Sequence, residues 1–590
     1  MIPAGAAAFG IPFAVAALAV FPGLYDPTMM SRLAVYPALG AALLLAGRGA
    51  VGRNHILAGV LTALVPMLWL FVPGSPLPGI PQAVRWASFG MMTAGFGGTV
   101  ARWGFRNHLR GLAWSAVLFS LHMTVFGPDS LSGNPNRTGM LLALGIVAAA
   151  AERRRATALV QAGLILPGMV VSGFRASWLA AALGLLILAA GRRGKSPSPG
   201  PLIAVMAAVQ IAFCLLPGNL RTGFPTLGLR ATIWRTAGNM FLETFPMGTG
   251  TGRARLSVFT RGGDELQLPA GPEKRVDFLH SEPLELITGS GAVGVVLSAL
   301  FILWVFRSRR DPLSAALLCC FWVLFTTDLP LATPLGALPA ALVLGGCLAP
   351  GPGTRVPAAV PLVLLGGSLY WGITVTAGYR AMAAGSGNPE KAAEACRLIP
   401  FEERAWLQAG WCRLRSGHLL EASRYSAGFI RMYPGYHGGW ELEGAIRGAL
   451  GRDAGAASAW RRAFMLAPSG LNERLIYALN GVPGAESSGD TLRAMGEALA
   501  MDVPWMESFP GTGTETYPEI ARRILSLAEN LLETNPGLAG ELFFRAVVTA
   551  QSAPDPGKAR FMGDARLLYG KYSSLIPGDR EKLESIIGLR

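Results

Sequence analysis

Apolar stretches of bilayer-crossing length follow one another from the N-terminus to about Gly378, separated by short polar breaks. A helix needs roughly 20 mostly apolar residues to cross a hydrocarbon core. Runs near 4–22, 33–47, 56–73, 84–101, 109–127, 138–151, 156–173, 176–190 and 200–217 fit that description. After a polar interval, so do 284–306, 313–329, 333–349 and 357–378. Some are short or rich in Gly and Pro, so the pattern predicts twelve or thirteen spans. The first run has no basic leader or evident small-residue cleavage site and reads as a retained span. The expected fold class is all-α: a polytopic membrane helix bundle over 1–378 with a large outer loop at 218–283, then a C-terminal α-solenoid over 379–590.

Composition agrees. Only 15% of the 590 residues are charged and 51% are hydrophobic, where soluble domains run near a quarter charged. That excludes a disordered chain, a collagen-like fibre and a simple cytosolic enzyme. The formal charge of +15 would suit nucleic acid. The arginines, however, sit in short clusters between apolar runs and form no continuous basic face, so no nucleic acid is expected as a partner. Arg48/Arg53, Arg102/Arg106/Arg110, Arg153/Arg154/Arg155, Arg192/Arg193/Lys195 and Arg307/Arg309/Arg310 follow every second span, with Arg355 a weaker sixth. Positively charged loops stay in the cytoplasm. The N-terminus is then inside, and 23–32, 74–83, 128–137, 174–175, 218–283, 330–332 and the tail face outward. In a bacterium these outer parts are periplasmic and the bundle lies in the inner membrane.

The tail repeats. Trp406 and Trp440, Gly410 and Gly444, Gly417 and Gly451, Ala422 and Ala456, and Pro434 and Pro468 are each 34 residues apart, and Pro400 precedes Pro434 by the same interval. A 34-residue unit with Trp, Gly, Ala and Pro in this order resembles the tetratricopeptide repeat, in which helix pairs stack on their neighbours. Two repeats and a leading half at about 388–400 are legible; further on, 520–534 and 538–551 keep helical patterning. Such arrays bind a protein partner or act as a spacer, and His418 and His437 read as surface residues of this one. Cys214, Cys319, Cys320 and Cys347 lie in apolar runs; Cys396 and Cys412 lie in the tail. No Cys/His spacing suits zinc, so no metal or other cofactor is expected, and pairing of Cys396 with Cys412 stays open.

Candidate chemistry gathers on the outward side, where arginine runs against the loop bias. Arg137 ends Ser132-Gly-Asn-Pro-Asn-Arg137, and Arg175 lies in Ser172-Gly-Phe-Arg175-Ala-Ser-Trp178. Cations this near hydrocarbon are costly and pair with something, substrate included; the alternative is a side chain snorkelling to headgroups. Arg230 and Arg235 sit in a stretch with helical spacing from about 229 to 245, about 140° apart around the helix, so one faces a given pocket. A planar guanidinium that keeps its proton suits a pyrophosphate. The segment Phe245-Pro-Met-Gly248-Thr-Gly250-Thr-Gly252 lacks a P-loop lysine and reads as a turn. His280 stands where the outer loop re-enters the membrane, in a position to accept a hydroxyl proton, with Glu282 and Glu285 available to orient it. A capping histidine is the alternative.

This order of parts over roughly 130–306 resembles the O-antigen ligase and polymerase family of bacterial membrane glycosyltransferases. The residues that carry it are Asn-Pro-Asn-Arg137, Ser-Gly-Phe-Arg175, Arg230 ahead of Ile233-Trp234, Pro246-Met-Gly248-Thr-Gly250, and His280 followed by Leu284 and Gly291-Ala-Val-Gly294. Family members commonly carry His-Asn where this chain has His280-Ser281, and an acidic residue where it has Gly289. The resemblance implies a C-type glycosyltransferase-like bundle and transfer of a glycan from an undecaprenyl-pyrophosphate carrier to an acceptor hydroxyl, with inversion and without a metal. The acceptor would be a glycan, a lipid A-core or a protein. His280, Arg230 and Arg175 would be catalytic, and Arg137, Arg235 and Glu285 would bind substrate among membrane lipids. No Asp-x-Asp occurs in the chain, which fits arginines in place of a cation. A transporter or flippase of lipid-linked glycan is the rival class, and a scaffold in envelope assembly a more distant one.

Overall fold

The computed structural model describes residues 4–18, 29–71, 77–127, 135–192, 225–254, 258, 279–308, 311–332, 334–349, 351–352, 355–466, 525, 528–529, 532–533, 536–551, 557–575, 583–584 and 587. Among these the chain is mostly helical and contains no strand. The apolar half consists of α1 (Ala4–Leu18), α2 (Met29–Gly47), α3 (Arg53–Leu68), α4 (Ile80–Trp103), α5 (Phe105–Phe126), α6 (Pro135–Ala150), α7 (Arg155–Ser172) and α8 (Arg175–Arg192). Next come α9 (Pro225–Glu243), α10 (Glu282–Ser308), α11 (Pro312–Thr327), α12 (Pro334–Cys347) and α13 (Ala359–Ala384). Each apolar run expected to be a span is a helix, apart from 200–217, which with Cys214 lies outside the described residues. Among the described residues five helices, α5, α7, α8, α10 and α13, are long and apolar enough to cross a membrane.

Small residues set how closely these helices approach. A Cβ on Gly90 of α4 would collide with the Gly59 carbonyl of α3, and one on Gly95 would meet the α2 backbone at Leu43 and Leu44. Between apolar helices packing depends on close backbone approach, and small residues permit it. α4 is thus enclosed by α2, α3 and α12 at the centre of the core. The faces turned away are apolar but exposed: Leu118 and Val125 on α5, Leu159 and Val170 on α7, and Val363, Tyr370 and Ile373 on α13.

Packing sorts the loops to two ends. At one end Arg110 bonds Glu152, Arg192 donates to the Ala150 carbonyl, Asn54 donates to the Ala349 carbonyl and Val356 N–H reaches the Arg48 carbonyl. The described arginine clusters therefore meet at that end. At the other, Gly139 abuts Phe174, Trp69 Nε1 donates to the Met247 carbonyl, and Leu331 N–H donates to Glu282.

The tail begins on α13, which runs past 378 to Ala384. It continues as α14 (Pro389–Leu398), α15 (Glu403–Arg415), α16 (Leu419–Met432), α17 (His437–Ala449) and α18 (Asp453–Leu466), with α19 (Pro536–Gln551) and α20 (Gly557–Tyr572) further on. The 34-residue period is structural. Trp406 Nε1 donates to the Pro400 carbonyl at 2.8 Å, and Trp440 Nε1 donates to the Pro434 carbonyl at 3.0 Å. Gly417 and Gly451 both end helices at positive φ, 77° and 67°, a conformation that favours glycine. Cys396 and Cys412 are buried free thiols in one apolar cluster. Cys412 Sγ contacts the Gly385 carbonyl, and burial pushes the Cys396 thiol up to about 12. His418 is exposed, while His437 is half-buried and stacks on Tyr436.

The tail also touches the bundle. Tyr379 donates to Glu402, Gln408 donates to the Met382 carbonyl, and Leu77, ahead of α4, packs into the cluster of Phe429, Met432 and Tyr433. Contacts at Glu402, at Gln408 and around Phe429 thus hold the repeat beside α13 and Leu77.

Candidate functional site

α9 forms because an apolar face recurs at helical spacing. Ile233, Trp234, Ala237 and Met240 are buried against Ala254, Val258, Leu279 and Leu284. That packing presents Arg230 to the C-terminal end of α11. Its Nη1 donates to the Thr327 carbonyl at 2.7 Å, and Nη2 stands 3.8 Å from Asp328 Oδ2. A cation is favoured there because the last carbonyls of a helix carry partial negative charge.

Asp328 caps α11 in extended conformation, with φ −158°. Its Oδ1 accepts from Leu329 N–H at 2.9 Å and lies 3.7 Å from His280 Nδ1. Among the described residues neither His280 Nδ1 nor Asp328 Oδ2 has a hydrogen-bond partner, although both atoms are buried. One carboxylate therefore faces a guanidinium on one side and an imidazole on the other.

Both sides of this pair are clamped through a neighbouring peptide. Before His280, the Leu279 carbonyl accepts from Trp234 Nε1 at 3.0 Å and its N–H donates to Glu285 Oε1 at 2.8 Å. After Asp328, the Leu331 N–H donates to Glu282 Oε1 at 2.8 Å and its carbonyl accepts from the Tyr36 hydroxyl at 3.3 Å. His280 itself has φ 50°. A non-glycine residue in that left-handed region costs of order 1 kcal/mol or more and persists only where its surroundings fix it.

The glycine segment is used differently from a free turn. Thr249 and Gly250 N–H donate to the Thr288 and Gly289 carbonyls, and Ala292 N–H donates to the Pro246 carbonyl. Gly291 breaks α10 at φ 61°, ψ −148°, and a Cβ there would collide with the Pro246 carbonyl. The glycines thus let two backbones meet, and the segment is a buttress under the first turns of α10.

Of the residues singled out in the sequence, Arg230 and His280 come together on Asp328. Arg175 opens α8, exposed, outside that group. It stands at the same end of the bundle, because Gly191 at the far end of α8 abuts Pro312 at the start of α11. Arg235 is half-buried on another face of α9. Arg137 lies on α6, its side chain outside the described residues. Arg221, Arg255, Arg261, Asp264, Glu265, Glu273, Lys274, Arg275 and Asp277 also lie outside them. Glu282 and Glu285, expected to orient His280 directly, are buried and bond the Leu331 and Leu279 backbones. Asp328 takes the orienting position. It was hidden inside the apolar run 313–329, where a lone carboxylate at the end of a span is itself a functional signal. No family model matches the chain, and neither a curated protein nor a solved structure matches it.

Proposed function

We propose that this chain is a polytopic inner-membrane glycosyltransferase of the O-antigen ligase and polymerase class, moving a glycan from an undecaprenyl-pyrophosphate carrier to an acceptor hydroxyl on the periplasmic side. The observation that carries the reading is Asp328 facing both Arg230 and His280 at the end of the bundle opposite the basic loops. The side chain of His280 is 37% exposed while its Nδ1 is buried toward Asp328. Its outward nitrogen is therefore Nε2. A carboxylate at Nδ1 favours the tautomer with the proton there and the lone pair on Nε2.

In the proposed step the acceptor oxygen attacks the anomeric carbon as the bond to the pyrophosphate oxygen breaks. The hydroxyl proton passes to Nε2, and the electron pair leaves with undecaprenyl pyrophosphate. Arg230 meets the charge that develops on the leaving group, a contribution that is strongest away from water. Arg175, exposed at the same end, is the second cation of that site. The tail, a tetratricopeptide-like solenoid in this reading, presents the acceptor or a protein partner over the face it covers.

The test is transfer from purified lipid-linked glycan to acceptor in proteoliposomes, with Arg230→Ala, His280→Ala and Arg175→Ala beside the parent. Loss in each, with normal membrane yield, supports the site; activity in all three would falsify it. In cells, deleting the gene separates the acceptors: unligated chains mark a ligase, single-unit chains a polymerase and unmodified proteins a protein oligosaccharyltransferase.

A further inference from the structure

At the basic end of the bundle, Arg106, Arg110, Glu152, Arg153 and Gln161 line a cleft between α5, α6 and α7. The cleft is partly open to its surroundings and leaves about 10 Å³ free inside, room for one water-sized group. Gln161 is 1% exposed, and among the described residues neither its Nε2 nor its Oε1 has a hydrogen-bond partner. Leaving a buried amide unpaired is costly. Glu152 does not satisfy it. Its two oxygens bind Arg110 at 2.7 and 3.0 Å, and one also accepts from Arg153 N–H at 2.8 Å. That pairing holds the Glu152 carboxyl down at about 2. Arg106 and Arg153 are exposed at the mouth and have no ion-pair partner among the described residues, so the mouth carries net positive charge. Beside it run exposed apolar side chains, Trp114 and Leu118 on α5 and Leu159 and Val160 on α7.

We infer that this cleft is a binding site for an anionic phospholipid whose headgroup carries a hydroxyl, phosphatidylglycerol being the simplest. The phosphodiester sits at the mouth between Arg106 and Arg153. The headgroup hydroxyl enters that free space, donating to Gln161 Oε1 and accepting from Nε2, as the amide requires. The acyl chains lie along the apolar faces of α5 and α7. Basic pockets between spans on the cytoplasmic side suit such headgroups. The inference rests on the bundle lying in a membrane and is independent of the chemistry proposed at Asp328.

The test is native mass spectrometry of the full-length protein in neutral detergent. Phosphatidylglycerol and phosphatidylcholine with identical acyl chains are added in competition. The parent is expected to prefer phosphatidylglycerol by about tenfold, since each arginine near an anionic surface contributes appreciably. Arg106→Ala with Arg153→Ala removes the preference, whereas Arg154→Ala with Arg155→Ala, which removes equal charge outside the cleft, leaves it. Gln161→Leu reduces the preference while the protein still folds, because no paired hydrogen bond is lost. A preference unchanged by the first pair or by Gln161→Leu overturns the inference. Displacement of the lipid by millimolar inorganic phosphate overturns the lipid as source. The measurement needs no glycan transfer, so its failure leaves the proposed activity standing.

Discussion

His280 and Asp328 come from segments 48 residues apart in sequence, yet their side chains meet at 3.7 Å, Nδ1 to Oδ1. That separation is longer than a hydrogen bond, and catalytic hydrogen bonds often tighten only when substrate binds. Asp328→Asn keeps the shape and removes the charge that favours Nδ1–H. The expected result is a fall in kcat of about 100-fold or more, with KM for the donor little changed. An unaltered kcat removes Asp328 from the mechanism.

Gly291 is required by backbone geometry. Gly291→Ala places a side chain at φ 61° against the Pro246 and Met247 backbone. The conformational part alone costs roughly 1–3 kcal/mol, because this φ/ψ region is nearly restricted to glycine, and the collision adds to it. Gly163, inside α7 with nothing within 4 Å of an added Cβ, is the control: Gly163→Ala should be neutral or stabilising by up to about 1 kcal/mol. Melting temperatures of the two purified variants decide this.

In the tail, Trp406→Phe and Trp440→Phe delete equivalent hydrogen bonds, each worth about 1 kcal/mol. The Trp406 bond is part-buried and the Trp440 bond exposed, so the first variant should lose more stability. Equal losses, or the reverse order, would show that the two repeats are not buried as described.

Leu77→Asp tests the docking of the tail. It puts a charge among Phe429, Met432 and Tyr433, and burying an unpaired charge is strongly unfavourable. Limited proteolysis should cut the variant faster than the parent around 385–388, where α13 hands over to α14. An unchanged cleavage rate argues that Leu77 holds nothing.

Much of the bundle was legible because hydropathy is a local signal: a run of about 20 apolar residues declares itself, and α1 to α8 and α10 to α13 lie where those runs predict. The repeat was legible for a related reason, since Trp406 and Trp440 mark one register. What pattern alone missed is long-range. Asp328 ends an apolar run and gains meaning only when Arg230 and His280 arrive beside it. Gly248, Gly250 and Gly291 resemble ordinary turn glycines until two distant backbones are seen to share them. Glu285 was expected at His280 on sequence proximity, but the re-entering chain bends so that the carboxylate reaches the Leu279 amide first. Nothing local in Leu77 announces a partner more than 350 residues away.

The break at Gly291 has a mechanical outcome. The first turns of α10 are tied to 246–250 by main-chain bonds, whereas the stretch beyond Ala292 is an apolar shaft with Val293, Val296, Leu300 and Leu303 turned outward. In a bilayer such a shaft would tilt with hydrocarbon thickness. A single joint between the two pieces would absorb that tilt and leave the spacing of His280 and its neighbours unchanged.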